Sequence, residues 1–273
     1  MEEKYPELGN LMPRDVVSRE EEAVMADPAC CGTVWLDMRG LSRSVWNARL
    51  SDLREEIIHY LAIDPAADPV PVEPGIHYCM GGIAVDEGHR TNVANLYAAG
   101  ECAAQYHGAN RLGANSLLGA TYGGRVAARA VLADGARFDW AVAEGRVGRP
   151  DGLVIGPLET PTCDSAVDSR IHELLNAAMG MKRDGVTLQA TLDAWGEIDA
   201  AGSTGRAENR VEFARAITAC ALAREESRGA HFRADFPETR EDFRATTVCQ
   251  YDGGAPSVTF RSLPERRGGG SCS

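Results

Sequence analysis

The residues with most chemistry to offer are crowded into HGANRLGANSLLGATYGGRVAARA, from His107 to Ala130. A polar turn carries His107, Asn110 and Arg111, passes Gly108 and Gly113, and enters an apolar run at helical spacing that includes Leu117 and Leu118. Asn115 and Ser116 stand where that helix takes its N-cap. Such a turn suits an anion. Glycine lets backbone approach a ligand closely, and a helix start presents unpaired N–H groups and a partial positive charge, here with a guanidinium just upstream. The plain alternative is a Gly-rich loop leading into a buried Ala-rich helix, and this segment alone does not separate the two.

Three further side chains qualify as candidates. Arg14 follows Met12-Pro13 at the start of a short helical pattern, where a cation opposes the positive helix pole, although a surface arginine is the simpler reading. His77 precedes Tyr78 and the Gly81-Gly82 pair. Glu101 ends the apolar stretch Asn95 to Ala99, and α/β folds place ligand contacts at the carboxyl ends of buried strands. Taken singly, His77 reads as a bonded core histidine and Glu101 as a solvated strand end.

These groups must be positioned by a chain of 273 residues, enough for one large domain or two smaller ones. Its net charge of −12 argues against nucleic acid, and a small anion then needs a local basic pocket. Eight cysteines are scattered without a CxxC pair or a Cys/His metal spacing, so neither zinc nor an iron–sulfur cluster is expected and a reducing, cytoplasmic setting fits. The opening MEEKYPELGN is acidic and is no signal peptide. No apolar run reaches membrane-spanning length, so membrane association is expected only through another chain.

Along the chain, Thr33 to Met38 reads as a short strand and Trp46 to Ala62 as one helix with Leu50, Leu53, Ile57, Ile58 and Leu61 on a face. Four prolines between Asp64 and Pro74 exclude a helix or a central strand and suggest an extended crossing between lobes. Ile83 to Val85 and Asn95 to Ala99 read as strands. Phe138 to Cys163 is loop-like. Three apolar stripes follow: Val167, Ile171, Leu174, Leu175 and Ala178; then Leu188, Leu192 and Trp195; then Ala207, Val211, Ala214, Ile217, Ala221 and Leu222. They predict a small antiparallel bundle. Arg228 and His231, in a polar run from Glu226 to Phe243, are placed to pin that bundle against the other lobe. Ser257 to Ser262 is a strand, ahead of a disordered RRGGGSCS.

Three segments in order, MPRDVVSRE at 12 to 20, HYCMGG at 77 to 82 and GECAAQYHGANRLGANSLL at 100 to 118, closely resemble the flavoprotein subunit of the succinate dehydrogenase/fumarate reductase family, which includes L-aspartate oxidase. The bundle and ESRGAH at 226 to 231 resemble that family's C-terminal helical region. The resemblance implies an FAD-dependent oxidoreductase that interconverts fumarate and succinate by hydride transfer at flavin N5. Arg14 then matches the proton-delivering arginine, and His77 and Arg111 match the pair that grips the dicarboxylate. Glu101 matches an FAD contact, with Ser116 and Leu117 at the start of the helix facing the flavin. An iron–sulfur partner subunit is also implied, and the tail from Cys249 to Leu263 resembles the reductase/dehydrogenase branch more than the oxidase.

The implied fold is α/β plus α. Residues 1–72 form the end of a capping domain, 73–148 the end of an FAD-binding domain, 149–235 the bundle and 236–273 a tail with a short strand. No GxGxxG follows a strand, and the family carries that pyrophosphate-binding fingerprint near its N-terminus. The chain therefore reads as the C-terminal half of such an enzyme, expected to bind FAD weakly or not at all alone, to be inactive by itself and to leave its strands without sheet neighbours. The contrasting expectation is a non-catalytic interaction module that docks a partner.

Overall fold

The computed structural model describes residues 1–30, 32–104, 106–135, 165–200, 206–251 and 255–263. They divide into two units, Met1–His77 and Tyr78–Ser273. Among the described residues no helix is long and apolar enough to cross a membrane.

In the first unit, α1 (Arg14–Met25) starts directly after Pro13, whose φ of −49° suits a helix entrance. Strands β1 (Val34–Leu36) and β2 (Val70–Val72) pair antiparallel, with Trp35 opposite Pro71. A two-stranded ribbon tolerates that proline because one side of each strand needs no ladder. The proline-rich stretch is thus partly a strand of the first unit, not wholly a crossing. The single helix expected from Trp46 to Ala62 is two, α2 (Arg43–Arg49) and α3 (Ser51–Leu61), broken where Leu50 leaves helical geometry at φ −128°. Ser42 caps α2 by accepting from the Val45 N–H, and Ala62 closes α3 in the left-handed region. Trp46 and Val17 are buried, whereas Leu53, Ile58 and Leu61 of the predicted stripe are exposed.

The second unit holds α4 (Asn115–Gly135) and a bundle of α5 (Ser165–Ala178), α6 (Gly185–Ala200) and α7 (Arg206–Ala223). The predicted stripes supply the bundle core: Ile171, Leu174, Trp195, Val211 and Ala214 form one cluster, and Ala178, Leu188 and Ala221 another. Trp195 donates its indole N–H to Thr218 at 3.3 Å, so even the polar atom of this buried ring is paired. Buried Arg233 donates to the carbonyls of Ala221 and Leu222 at 3.0 and 2.9 Å, a cation on the negative end of α7. Strand β3 (Ala245–Gln250), which the sequence reading missed, pairs antiparallel with β4 (Ser257–Ser262). Arg224 ties this hairpin to the bundle by donating to the Phe243 and Ala245 carbonyls and to Thr247 Oγ1.

The two strands expected at Ile83 to Val85 and Asn95 to Ala99 are reduced to single bridges, Ile83 to Ala103 and Arg90 to Tyr97. Ile83 and Leu96 are about half exposed, at 47% and 50%. Without neighbouring strands among the described residues their backbone groups find too few partners to propagate a ladder. Among the described residues both sheets are two-stranded and antiparallel, and none is parallel. The architecture is mixed helix and sheet. The loop expected from Phe138 to Cys163 and the disordered tail expected after Pro264 lie outside the described residues.

Within the bundle, His231 is held neutral by its surroundings. Its Nε2–H donates to the Arg224 carbonyl at 3.1 Å and its Nδ1 accepts from Arg183 at 3.0 Å. Burial, reinforced by the Arg183 charge, pushes its pKa from 6.5 down to about 4. The unfolded chain therefore takes up a proton below pH 6.5 that the folded chain refuses until pH 4. Acidification from pH 6.5 to 4 is expected to cost roughly 2–3 kcal/mol through this residue. Thermal melts across that range should decline in the parent chain, with the His231→Gln variant visibly flatter.

Candidate functional site

The polar residues singled out in the second unit lie on two loops and the start of α4. Gly82, at φ +148°, brings its chain against the Cys102 carbonyl, and a Cβ there would overlap that oxygen. This permits Ile83 N–H to donate to Cys102 O at 2.7 Å and Ala104 N–H to donate to Ile83 O at 3.0 Å. Beside this crossing, exposed Glu101 accepts the Cys79 N–H at 2.9 Å. The carboxylate thereby ties the HYC segment to the GEC turn.

Arg111 is held by an aromatic ring rather than by a carboxylate. Its guanidinium carbon lies 4.9 Å from the centroid of Tyr78, within cation–π range. Its Nη1 donates to the neighbouring Leu112 carbonyl at 3.2 Å, and its Nε is buried without a hydrogen bond among the described residues. His107 stands edge-on to Tyr78 with centroids 5.2 Å apart, and its Nε2 is likewise buried and unpaired. Buried polar groups are normally satisfied, so two orphans on one short loop point to a ligand group that completes them. A planar cation with unspent donors matches a carboxylate best.

Next to this loop, Ala114 turns through the left-handed region at φ +64° and α4 begins at Asn115, so Asn115 and Ser116 form its first turn. Leu117 is 79% and Leu118 66% exposed. Tyr106, His107, Asn115, Leu118, Gly119 and Tyr122 line an open hollow of about 360 Å³. Its wall is braced from behind. Buried His89 bonds the Ala98 carbonyl through Nδ1 at 2.7 Å and meets the Tyr106 hydroxyl at 3.2 Å through Nε2. That hydroxyl occupies the space a side chain at Gly123 would need.

The FAD implied by the resemblance fits these residues. A helix of 21 residues offers free N–H groups and a positive pole at its first turn, and apolar Leu117 and Leu118 stand uncovered beside it. Such a surface has the polarity that a flat, partly apolar ring requires. Among the described residues no group of His, Cys, Asp or Glu is arranged to hold a metal.

The structure brings Glu101, Arg111, Ser116 and Leu117 into the second unit. Arg14 and His77 belong to the first unit, where Arg14 is the exposed first residue of α1 and His77 the exposed last residue of the unit. His107 stood in the sequence reading only as part of the polar turn, and Tyr78 escaped it as a site residue, although it directly adjoins His77. Arg228 and His231 turn inward to Glu226 and Arg183.

Residues 3–117 match the family model of an FAD binding domain, and residues 199–266 match that of the fumarate reductase flavoprotein C-terminus. The succinate dehydrogenase flavoprotein subunit of Bacillus subtilis is 32% identical over 289 residues, covering 92% of this chain and 48% of that protein. An L-aspartate oxidase of Rhodospirillum rubrum is 41% identical over 205 residues, covering 74% of this chain and 69% of that one. Among solved structures, a mutant of E. coli quinol fumarate reductase superposes with a TM-score of 0.72 at 26% identity, over 93% of this chain and 49% of that one. The Sdh1 complex of Mycobacterium smegmatis in the apo form gives 0.67 at 29%, over 94% and 48%. The chain thus spans about half the length of most of these relatives.

Proposed function

Since the chain belongs to the FAD-dependent succinate dehydrogenase/fumarate reductase flavoprotein family, we propose that it serves the interconversion of fumarate and succinate. The observation that carries this reading is the Arg111 guanidinium, lying over the Tyr78 ring with its Nε buried and without a hydrogen bond among the described residues. It is a cation preorganised for one carboxylate.

In this reading Arg111 and His77 grip the two ends of a four-carbon diacid and twist one carboxylate, favouring the transition state as charge grows on the substrate. FAD, when bound, supplies hydride exchange at its N5. Glu101 would contact that cofactor, and Ser116 and Leu117 at the first turn of α4 would hold its ring. Arg14 gives a proton from its guanidinium to the neighbouring substrate carbon. Its high basicity makes it a poor acid in water, but a developing carbanion at contact distance needs the proton only momentarily. The deprotonated guanidine then recovers a proton through charged neighbours, of which Asp15 and Arg19, paired at 3.1 Å on α1, are the nearest in the chain. Oxidation of succinate runs the same groups in reverse. An iron–sulfur subunit is the proposed electron partner, and any membrane association would come through such partners.

The second reading, L-aspartate oxidase, is favoured by the 41% identity to the Rhodospirillum rubrum protein. The β3–β4 tail and the match to the fumarate reductase C-terminal model favour the first. A substrate panel on the full-length, flavin-loaded protein separates them. Dye-linked turnover of fumarate or succinate without oxidation of L-aspartate is expected; aspartate-dependent flavin reduction would overturn the assignment.

A further inference from the structure

After α7 the chain folds back on the bundle and reaches the arginine-bearing loop through one turn. Arg228 N–H donates to His231 O at 2.8 Å and His231 N–H donates back to Arg228 O at 3.1 Å, so Gly229 and Ala230 form the tip of a two-residue turn. At that tip Ala230 N–H donates to the carbonyl of Ala109 at 3.0 Å. Gly229 sits at φ +57°, and a Cβ on it would overlap the Ala109 carbonyl oxygen and lie 2.6 Å from its carbon. Both the backbone angle and the close approach require glycine.

The base of the turn is fixed by buried charge. Glu226 is fully buried and accepts from Arg224, from Arg228 at 2.8 and 3.0 Å, and from the Arg240 N–H at 2.9 Å. Ser227 Oγ accepts the Arg233 N–H at 2.8 Å and donates to Phe236 O at 2.9 Å. A rigid hairpin therefore presents one N–H to one carbonyl of a loop that is otherwise exposed at Gly108 and Ala109.

We propose that the Gly229–Ala230 turn is a positioning element for Arg111, two residues beyond Ala109, so that the bundle sets the aim of the carboxylate-gripping cation. This rests on the dicarboxylate reading of Arg111 given above. Fixing the loop backbone leaves only side-chain freedom to be lost when the anion binds, which is where preorganisation acts.

The test uses the full chain and begins without flavin. Trypsin cleavage of the Arg111–Leu112 bond is measured against cleavage at exposed Arg39–Gly40. Gly229→Asn accepts the left-handed angle but drives a Cβ into Ala109, so it isolates the contact from backbone strain. The cleavage ratio is expected to rise about tenfold, a loss of about 1.4 kcal/mol in loop closure, with the helical circular dichroism unchanged. A folded variant with an unchanged ratio overturns the proposal. Should that variant fail to fold, hydrogen exchange of the Ala230 amide in the parent chain decides: protection supports the proposal, and exchange at the free-chain rate sinks it. With flavin loaded, KM for the dicarboxylate is expected to rise about tenfold in Gly229→Asn while kcat changes less than about threefold. A full-length, flavin-loaded protein that turns over no dicarboxylate while the Arg111–Leu112 bond stays protected defeats the functional reading and leaves the tether standing.

Discussion

Replacing Arg14 by glutamine is expected to lower the turnover of fumarate about 10³-fold or more, with KM moving less than about threefold. The arginine stands at the first turn of α1, where the helix pole repels a cation, and the neighbouring carboxylate Asp15 is paired with Arg19. A side chain kept in that position against electrostatic preference fits a role in proton delivery better than one in helix stability. Glutamine preserves length and some hydrogen bonding but has no acidic proton to give, so the loss should fall on the chemical step. Lysine should not rescue fully, because a point-charge ammonium lacks the guanidinium's planar fork. Arg111→Gln supplies the contrast: there the weakened grip should raise KM as well as lower kcat. Steady-state assays of these variants in the full-length, flavin-loaded protein with a reduced dye read both effects. Retention of more than a tenth of parental kcat in Arg14→Gln would remove Arg14 from the proton path.

The second large effect is on stability. Glu226→Ala is expected to cost about 3–5 kcal/mol, because it strands the Arg224 and Arg228 guanidinium groups that share its fully buried carboxylate. Burial by itself would raise the Glu226 pKa, but hydrogen bonds from Arg228, the Arg240 N–H and Arg224 outweigh it and hold the carboxyl below its ordinary 4.5. A depressed folded-state pKa contributes stability above the unfolded value and loses it as pH falls through the folded one. The Glu226 contribution is therefore intact at neutral pH and disappears only below about pH 4.5, beneath most of the window in which His231 acts. Chemical denaturation at pH 7 and again in strong acid measures the difference between parent and variant, which should shrink in acid. An equal deficit at both pH values would show that lost packing, not lost charge pairing, is responsible. Because Arg224 also anchors β3 through the Phe243 and Ala245 carbonyls, the hairpin should loosen together with the Gly229–Ala230 turn.

The bundle was legible in the sequence because its residues repeat at helical spacing and bury one another locally. Ile171, Leu174, Leu188, Trp195, Val211 and Ala214 are core residues that periodicity alone picks out. The strands near Ile83 and Leu96 were misread for the opposite reason. A ladder depends on a neighbour elsewhere in the chain, and apolar composition cannot say whether one is present. Leu50 likewise broke a helix whose apolar spacing ran straight through it, since spacing carries no record of backbone angle.

What the sequence determined by itself was residue type in order: the three segments that mark the family, the arginine beside a glycine turn, and the apolar stripes of the bundle. Tertiary structure alone decided which groups satisfy one another. Only folding puts the Tyr78 ring under Arg111, leaves Arg111 Nε and His107 Nε2 without partners among the described residues, and sets Gly229 against Ala109 across more than a hundred residues of chain. Cation–π contacts, orphaned donors and close backbone approaches last over a few ångströms, so they are fixed by where the chain returns in space and leave almost no trace in linear order.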